Sequence, residues 1–220
     1  MSFLRRLYYD AFSSFYDPFV RFHSKDKQEG LRGFLVARVK VPEGGLVLDL
    51  CTGTGAVALA FAKARKDASL VVGLDFSRGM LRRAKPKALS LGLCNVALVQ
   101  AAANALPFKP ETFHAVTCSH AFYELNALEM ASMLKEARRV LRPGGMLFVM
   151  EHETPKKPIL RVLFAIRMLT VGLKGLHTLK DELPCFSASF EGVTKETSPS
   201  GDSKLIIATK QYKTHGGALG

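Results

Sequence analysis

The chain has 220 residues, a length at which a single hydrophobic core is the usual arrangement. Its residues are 48% hydrophobic and 23% charged, ordinary values for a globular protein that exclude a disordered or fibrous chain. The formal net charge of +12 leaves three interpretations open: a solvated surface, contact with an anionic membrane, or binding of nucleic acid. Because no zinc-finger, RNP or basic-zipper signature accompanies the charge, we expect no specific nucleic-acid partner.

Basic residues interrupt the longest apolar stretch. Ile159 to Leu176 contains Arg161, Arg167 and Lys174, so the sequence predicts no helix that crosses a membrane. Residues 155–180 hold six basic side chains and no acidic one. This imbalance makes peripheral contact with an anionic membrane one interpretation of the charge.

The cysteines show no spacing typical of metal sites. Cys51, Cys94, Cys118 and Cys185 form no CxxC pair and have no histidine at ligand spacing, and no secretory signal is recognisable. We therefore expect free thiols in a cytoplasmic protein that binds no metal.

In chain order, strand-like and helix-like segments alternate after an initial helical region. Residues 2–39 are predicted to be mostly helical and to cover the ligand-binding edge of the sheet that follows. Short apolar runs predict strands, and alanine-rich or amphipathic segments predict helices between them. The predicted strands are 46–50, 70–75, 96–100, 113–119 and 146–151, and the predicted helices are 56–64, 78–92 with Ser77 as N-cap, 125–141 and 158–180.

This alternation is typical of a doubly wound parallel sheet with right-handed crossovers. Pro143-Gly144-Gly145 is predicted to be a turn that ends the helix before the fifth strand. Residues 193–196 and 204–210 are predicted to form an antiparallel hairpin. We expect one domain over residues 1–220, with a helical cap at 1–40, a core at 45–153, and a C-terminal helix and hairpin at 154–213.

A glycine-rich loop follows the first predicted strand and opens a helix. The loop is Asp49-Leu50-Cys51-Thr52-Gly53-Thr54-Gly55, and because its two glycines have no side chain, a ligand can approach the backbone N–H groups. The loop also fits the GxGxxA form of the dinucleotide fingerprint, with Asp75 twenty residues after Gly55, so a nicotinamide dehydrogenase is a competing interpretation. Asp49 lies four residues before Gly53, where its charge would repel a pyrophosphate but attract the ammonium of an amino-acid ligand.

Three further motifs follow along the chain: Gly73-Leu74-Asp75-Phe76-Ser77, Leu106-Pro107-Phe108 and Val140-Leu141-Arg142-Pro143-Gly144-Gly145. With the glycine loop, over about residues 45–153, the sequence resembles the class I S-adenosylmethionine-dependent methyltransferases, in particular the ubiquinone/menaquinone-type C-methyltransferases. The resemblance implies S-adenosylmethionine as cofactor. It also implies a Rossmann-like, doubly wound, seven-stranded and mainly parallel sheet with a C-terminal antiparallel hairpin and an N-terminal helical cap.

The resemblance assigns roles to residues of the cofactor site. Gly53 and Gly55 would line the methionine and ribose portions, and Asp49 would help to hold the ammonium, often through water. Asp75 would accept both ribose hydroxyls, and Phe76 would flank the adenine. The remaining residues expected in the cofactor site are Tyr16, which with Asp17 resembles a Tyr-Asp pair of the quinone methyltransferases, and Cys51, Ala102, Ala103 and Ser119.

Two positions depart from the family pattern. Ala102 stands where relatives usually carry an Asp that accepts a hydrogen bond from the adenine amino group, and Asn104 is a candidate substitute. Losing a charged hydrogen bond costs roughly 1.5–3 kcal/mol, or about tenfold to a hundredfold in affinity. His114 replaces the Asp that relatives carry after Phe113, and we expect a structural role for it.

Candidate acceptor-site residues follow the fourth predicted strand, because open α/β sheets bind ligands beyond the carboxyl ends of their strands. His120 is a candidate general base, since an ordinary imidazole titrates near pH 6.5, and the alternative is a packing role. Tyr123 is a candidate for orienting a substrate oxygen, and the alternative is a core position. Glu151-His152-Glu153 either offers polar groups to the same cleft or is a solvated strand exit.

The leading functional interpretation is a cytoplasmic or peripherally membrane-bound S-adenosylmethionine-dependent methyltransferase that acts on a small, lipophilic or quinone-like acceptor. A sulfonium is already an activated methyl donor, so catalysis requires mainly alignment and exclusion of water. Two alternatives stay open: a non-catalytic S-adenosylmethionine-binding protein, and a nucleic-acid methyltransferase, which lacks support because no Asn-Pro-Pro-Tyr-type loop follows the fourth strand. The sequence does not indicate an oligomeric state.

Overall fold

The structure, a computed structural model, describes residues 3–23, 30–65, 69–153, 182–201 and 203–212. One seven-stranded sheet forms within these residues. Its strands are β1 (Leu46–Leu50), β2 (Leu70–Asp75), β3 (Val96–Gln100), β4 (Phe113–Ser119), β5 (Leu141–His152), β6 (Glu191–Thr197) and β7 (Ser203–Thr209). The order is β3-β2-β1-β4-β5-β7-β6, with β1 to β5 parallel and β7 antiparallel to both of its neighbours.

Helices connect and cover these strands. They are α1 (Phe3–His23), α2 (Gly30–Arg38), α3 (Ala56–Ala64), α4 (Arg78–Ser90), α5 (Ala127–Val140) and α6 (Glu182–Ser187), with a 3₁₀ turn at Phe122–Glu124. Ser77 caps α4 as predicted, because its hydroxyl accepts a hydrogen bond from the Met80 amide at 3.2 Å. The start of α5 is set by Asn126 and Glu129, whose side chains each bond the other residue's amide in a capping box.

The expected Rossmann-like architecture is confirmed. Strands β1 to β4 have the predicted bounds, and the C-terminal hairpin forms from β6 and β7. Short apolar runs predict these strands correctly because a parallel strand between two helical layers is buried on both faces. Leu48 and Leu147 lie in one core layer, and Val47, Ala115 and Phe148 lie in the layer on the other face.

The sheet order determines where a ligand can bind. β1 lies between β2 and β4, so the chain winds outward in both directions from this point. The carboxyl ends of the parallel strands share one edge, and a crevice opens where the winding direction reverses. The glycine loop after β1 and the polar residues after β2, β4 and β5 therefore all lie at one edge.

The predicted turn at Pro143-Gly144-Gly145 is wrong. These residues belong to β5, which pairs Leu141 with Phe113 and resumes at Met146 with Ala115 after a shift in register. The Gly144 amide donates to the Lys210 carbonyl at 2.7 Å, and the Lys210 amide donates to the Gly145 carbonyl at 2.9 Å. Backbone pairing with the end of the hairpin therefore holds the segment in a bulged strand.

His114 has the structural role expected for it. Its Nδ1 accepts a hydrogen bond from the Leu46 amide at 3.0 Å. The imidazole thereby satisfies the first amide of β1 from the neighbouring strand β4. Burial and the charge of Arg142 lower the pKa of His114, which favours the neutral ring that this contact requires.

The predicted helix at 158–180 and the basic stretch considered for membrane contact lie outside the described residues. Within the described ranges, no helix combines the length and the apolar character that a membrane span requires. Peripheral membrane contact stays a prediction.

Candidate functional site

The loop between β1 and α3 has an unusual backbone. Cys51, Gly53 and Gly55 all have positive φ angles, of 53°, 56° and 85°. A Cβ atom on Gly53 would meet nothing within 4 Å, so this glycine faces open space that a ligand can occupy. A Cβ atom on Gly55 would lie 3.1 Å from the Ala84 Cβ, so Gly55 also allows α4 to pack closely on the loop.

Asp49, the penultimate residue of β1, carries a buried carboxylate. Its Oδ2 accepts a hydrogen bond from the Thr52 hydroxyl at 2.6 Å, and its Oδ1 accepts one from the Thr117 hydroxyl at 2.7 Å. Burial raises the pKa of Asp49 to about 6, although both hydroxyls favour the ionised form. The side chain is thus held in place beside the glycine loop.

Asp75 lies at the end of the neighbouring strand β2 and is also buried. Its Oδ2 accepts from the Gly53 amide at 2.8 Å, and its Oδ1 accepts from the Ser77 amide at 2.9 Å. Burial raises its pKa to about 6. Each carboxylate oxygen has a second lone pair, so Asp75 can bind a diol while it fixes the loop.

Helix α1 covers this edge of the sheet, as predicted for the N-terminal region. Asp10 accepts from the Ser77 hydroxyl at 2.6 Å and from the Gly79 amide at 2.8 Å. Asp17 accepts from the Thr54 hydroxyl at 2.7 Å and pairs with Lys87 at 2.7 Å. These contacts fasten α1 to the glycine loop and to α4.

Tyr16 lies on the same helix and is half-buried, and its ring meets that of Phe12 edge-on, with 6.0 Å between ring centroids. Burial raises its pKa to about 12, and the charges of Glu124 and Asp75 add to the shift. With its pKa raised, the Tyr16 phenol is neutral and able to donate a hydrogen bond. Its role in closing the pocket stays a prediction.

The expected adenine end of the cleft is largely apolar. Phe76 is half-buried and meets the Tyr9 ring edge-on, with 5.6 Å between ring centroids. Ala102 is half-buried and Ala103 is buried, and both lie in the turn after β3. The half-buried Asn104 follows in this turn.

Replacing Ala102 by Asp is expected to tighten S-adenosylmethionine binding about tenfold to a hundredfold, because it restores a charged acceptor for the adenine amino group. Isothermal titration calorimetry measures the change. Ala105→Asp is the matched control, since Ala105 is exposed on the same turn and is expected to leave the affinity unchanged. Weaker binding by Ala102→Asp would contradict the assignment of this turn to the adenine.

The expected acceptor residues are brought together after β4. Ser119 Oγ lies 2.9 Å from His120 Nδ1, and the His120 amide donates to the Met150 carbonyl at 2.7 Å. His120 has a positive φ of 52°, and its ring lies beside that of His152, with centroids 4.5 Å apart. The ring of Tyr123 lies 5.8 Å from that of His152. The two predicted catalytic side chains therefore share one cluster.

Glu151 and Glu153 have different surroundings. Glu151 is fully buried, and its Oε1 accepts from the Phe122 amide at 2.7 Å. Burial raises its pKa to about 8. Glu153 pairs with Lys195 at 2.7 Å and fits a solvated strand exit. The solvated strand exit thus fits Glu153 but not the buried Glu151, and a contribution of Glu151 to the cleft stays a prediction.

Sequence reasoning missed a carboxylate at the centre of this edge. Glu124 accepts hydrogen bonds from two side chains of α1, those of Arg5 and Tyr9. These partners are 119 and 115 residues away along the chain, so no local pattern marks them. Only the placement of α1 over the cleft reveals the contact.

The described part of the chain shows no metal site. No group of three or more His, Cys, Asp or Glu side chains there has the arrangement of a metal site. The four cysteines are free thiols.

Comparison with known proteins agrees with this geometry. A ubiquinone/menaquinone biosynthesis C-methyltransferase UbiE of Geotalea daltonii is 31% identical over 217 residues, which cover 91% of this chain and 92% of that protein. A demethylmenaquinone methyltransferase of Staphylococcus epidermidis is 34% identical over 151 residues, and the match spans 69% of this chain but only 61% of that protein. A SAM-dependent methyltransferase structure from Aquifex aeolicus shares the fold, with a TM-score of 0.60 and 19% identity over 91% of this chain and 98% of that one.

The fold and the site define a class I S-adenosylmethionine-dependent methyltransferase, an enzyme that uses S-adenosylmethionine to methylate a small molecule. Residues 7–173 match the ubiE/COQ5 methyltransferase family, and the chain belongs to this family. The competing interpretation of the glycine loop, a nicotinamide dehydrogenase, is therefore set aside.

Proposed function

We propose that this enzyme transfers a methyl group from S-adenosylmethionine to a quinone-like, lipophilic aromatic acceptor. The observation that carries the proposal is the pair of buried carboxylates, Asp49 and Asp75, beside a glycine loop, with a separate polar cluster after β4 under the same helical cap. The names of the two relatives supply the class of acceptor.

The residues after β1 and β2 fit the cofactor. Open space at Gly53 admits the methionine and ribose portions, with Cys51 and Gly55 completing the loop. Asp49 would hold the ammonium and Asp75 the ribose hydroxyls. Phe76, Ala102 and Ala103 would enclose the adenine, and Ser119 and Tyr16 would complete the cofactor pocket. When bound, S-adenosylmethionine supplies an electrophilic methyl group on a positively charged sulfur.

The residues after β4 would serve the acceptor. We assign to His120 the removal of a proton from an acceptor hydroxyl, and to Tyr123 the orientation of the acceptor oxygen. Tyr16 and the rest of α1 would exclude water from the reacting atoms. A lipophilic acceptor resides in membranes, so peripheral contact between the basic segment at residues 155–180 and an anionic membrane belongs to the same proposal.

Two measurements test the function. Calorimetry is expected to show binding of S-adenosylmethionine in the micromolar range, about −8 kcal/mol, and far weaker binding of NAD. Anaerobic incubation with a prenylated naphthohydroquinone that has a free ring position beside a hydroxyl is expected to yield its methylated product by mass spectrometry. Binding without turnover of this acceptor would favour the non-catalytic cofactor-binding alternative. Binding of NAD in place of S-adenosylmethionine would overturn the cofactor assignment.

A further inference from the structure

Helix α1 carries an exposed apolar stripe along its outer face. Leu7, Tyr8 and Phe15 are 49%, 60% and 70% exposed, and Ala11 between them is exposed as well. Ala11 follows Leu7 by four residues and Phe15 follows Ala11 by four, so these side chains share one face of the helix. Tyr8 stacks on Phe12, with 5.6 Å between ring centroids. Large apolar side chains gathered on one exposed face are typical of an interaction surface.

The polar face of α1 points the other way, toward the rest of the protein. Asp10 accepts hydrogen bonds from the start of α4, and Asp17 accepts one from Thr54 of the glycine loop. Ser13 is buried between them, and its hydroxyl donates to the Asp10 carbonyl at 2.8 Å. A helix that covers a core usually buries its apolar stripe instead. In α1 these hydrogen bonds leave the stripe at the surface.

Basic side chains border the stripe. Arg6 is exposed directly before Leu7. Arg83 of the neighbouring helix α4 donates to the Ser14 hydroxyl at 2.8 Å, and Ser14 directly precedes Phe15. Helix α4 contains no acidic residue, and its other exposed basic residues are Arg78, Arg82 and Lys85. Exposed positive charge thus lies beside the exposed apolar side chains.

The carboxylates in this region do not offset that charge. Asp10 is held by the Ser77 hydroxyl and the Gly79 amide, and Asp17 pairs with Lys87 at 2.7 Å. Near the start of α1, Arg5 lies between two further carboxylates, Glu124 at 3.1 Å and Glu129 at 3.4 Å. The outer face therefore presents an apolar stripe with a positive border.

We infer that the outer face of α1, together with the basic side chains that border it, docks on an anionic lipid membrane. An apolar stripe flanked by arginine and lysine is typical of helices that lie in the membrane interface, where anionic headgroups attract the basic residues. A second copy of this chain fits less well. Three partly exposed side chains offer far less area than the roughly 800 Å² that each partner buries in a standard protein interface.

The inference rests on the proposed function in one respect, namely that the acceptor is lipophilic and comes from a membrane. It deepens that proposal by naming a docking surface that is separate from the basic segment at residues 155–180. An α-helix with its side chains is about 10–12 Å across. Since the inner face of α1 contacts the glycine loop, docking through the outer face places that loop about one helix diameter from the lipid. The acceptor ring can then enter the cleft while its lipophilic chain stays in the membrane.

Co-sedimentation of the full chain with lipid vesicles tests the surface. Wild type is expected to bind vesicles of phosphatidylglycerol and phosphatidylcholine, and to bind vesicles of phosphatidylcholine alone far less. The double variant Leu7→Gln with Phe15→Gln is expected to weaken binding to the anionic vesicles about tenfold or more, because two apolar side chains no longer enter the lipid. Both residues are exposed and Gln is a good helix former, so the fold is expected to persist.

The matched control for this variant is Tyr212→Gln. Tyr212 is also a large exposed side chain, but it lies against Gly144, near the start of β5 and away from the edge that α1 covers. Tyr212→Gln is expected to bind the anionic vesicles like wild type. Equal weakening by the control and by the α1 variant would overturn the inference.

A charge variant tests the basic border. Arg6→Gln with Arg83→Gln is expected to weaken binding to the anionic vesicles about tenfold or more at low salt, and to reduce the salt dependence of binding. Lys109→Gln with Arg142→Gln removes the same charge from exposed residues near the starts of β4 and β5, and is expected to retain more of the wild-type binding. Equal losses in the two charge variants would contradict a specific role of the border.

Three other results would overturn the inference. The first is wild type that does not bind anionic vesicles. The second is wild-type binding that Leu7→Gln with Phe15→Gln leaves unchanged, because another part of the chain would then make the contact. The third is a wild-type dimer in sedimentation velocity that the same variant converts to a monomer, because the stripe would then bind a second copy.

Turnover separates this inference from the proposed function. Leu7→Gln with Phe15→Gln is expected to keep the wild-type kcat/KM for a water-soluble naphthohydroquinone without a prenyl chain. For the prenylated acceptor in anionic vesicles, it is expected to lower kcat/KM about tenfold or more. Absence of turnover of both acceptors by wild type contradicts the proposed function, and co-sedimentation still decides the docking surface. Equal kcat/KM of variant and wild type for the vesicle-bound acceptor contradicts the docking inference alone.

Discussion

Replacement of His120 by alanine is expected to lower kcat about 10²-fold or more, because the acceptor hydroxyl loses the group that removes its proton. A base must be unprotonated to act, so wild-type kcat is expected to rise with pH through the titration of the imidazole. His120→Ala is expected to remove this rise while cofactor affinity stays nearly unchanged. The measurement is kcat against pH for the reduced naphthoquinone acceptor, together with calorimetry on S-adenosylhomocysteine.

His114→Ala is the control for this variant. His114 lies near the start of β4, whereas His120 follows the end of this strand, and the His114 Nδ1 accepts from the Leu46 amide. His114→Ala is expected to lower the free energy of unfolding and to leave the shape of the profile of kcat against pH unchanged. A small, pH-independent decrease of kcat in His120→Ala would show that the ring only packs against His152 and Ser119.

Asp75→Ala is expected to weaken S-adenosylmethionine binding by roughly 1.5–3 kcal/mol, or about tenfold to a hundredfold, because the ribose hydroxyls lose a charged acceptor. Burial raises the pKa of Asp75 to about 6, so its carboxyl gains a proton as the pH falls through that value. Wild-type affinity is therefore expected to decline below about pH 6, and the variant is expected to depend less on pH. Calorimetry from pH 5 to pH 8 checks both expectations, roughly the range around the shifted pKa.

Ser77→Ala separates ribose binding from helix capping. Asp75 also accepts from the Ser77 amide, so part of the effect of Asp75→Ala could come from a disturbed start of α4. Ser77→Ala removes the hydroxyl that caps α4 and that donates to Asp10 of α1, but it keeps the Asp75 carboxylate and the Gly79 amide bond to Asp10. It is expected to cost about 1 kcal/mol in the free energy of unfolding and little in cofactor affinity. Equal losses of affinity in the two variants would assign to Asp75 a capping role only.

The parallel core was predictable because its signals are local. Each of the strands β1 to β4 is a short apolar run bounded by turns, and a strand buried on both faces needs no partner information to be recognised. The glycine loop, Ser77 and the placement of Asp49 and Asp75 at strand ends follow from the same local reasoning. His114 was assigned a structural role from its position at a strand start, and its contact with Leu46 confirms it.

Pro143-Gly144-Gly145 shows how a local signal fails. Pro and Gly favour a turn in any short window, and the sequence alone predicts one. Pairing of Gly144 and Gly145 with the backbone of Lys210 decides otherwise. That partner lies more than sixty residues later in the chain, where no short-range pattern can register it.

The sequence by itself determined the succession of strands and helices, the glycine loop and the two carboxylates beside it, because each depends on neighbours within a few residues. The tertiary structure alone decided how α1 lies on the cleft and which side chains it joins there. Arg5 and Tyr9 converge on Glu124, and Asp17 on Thr54 and Lys87, across separations that local propensity does not encode. Only the folded chain decides these contacts, because burial and charge pairing at the sheet edge depend on where α1 folds back onto the sheet.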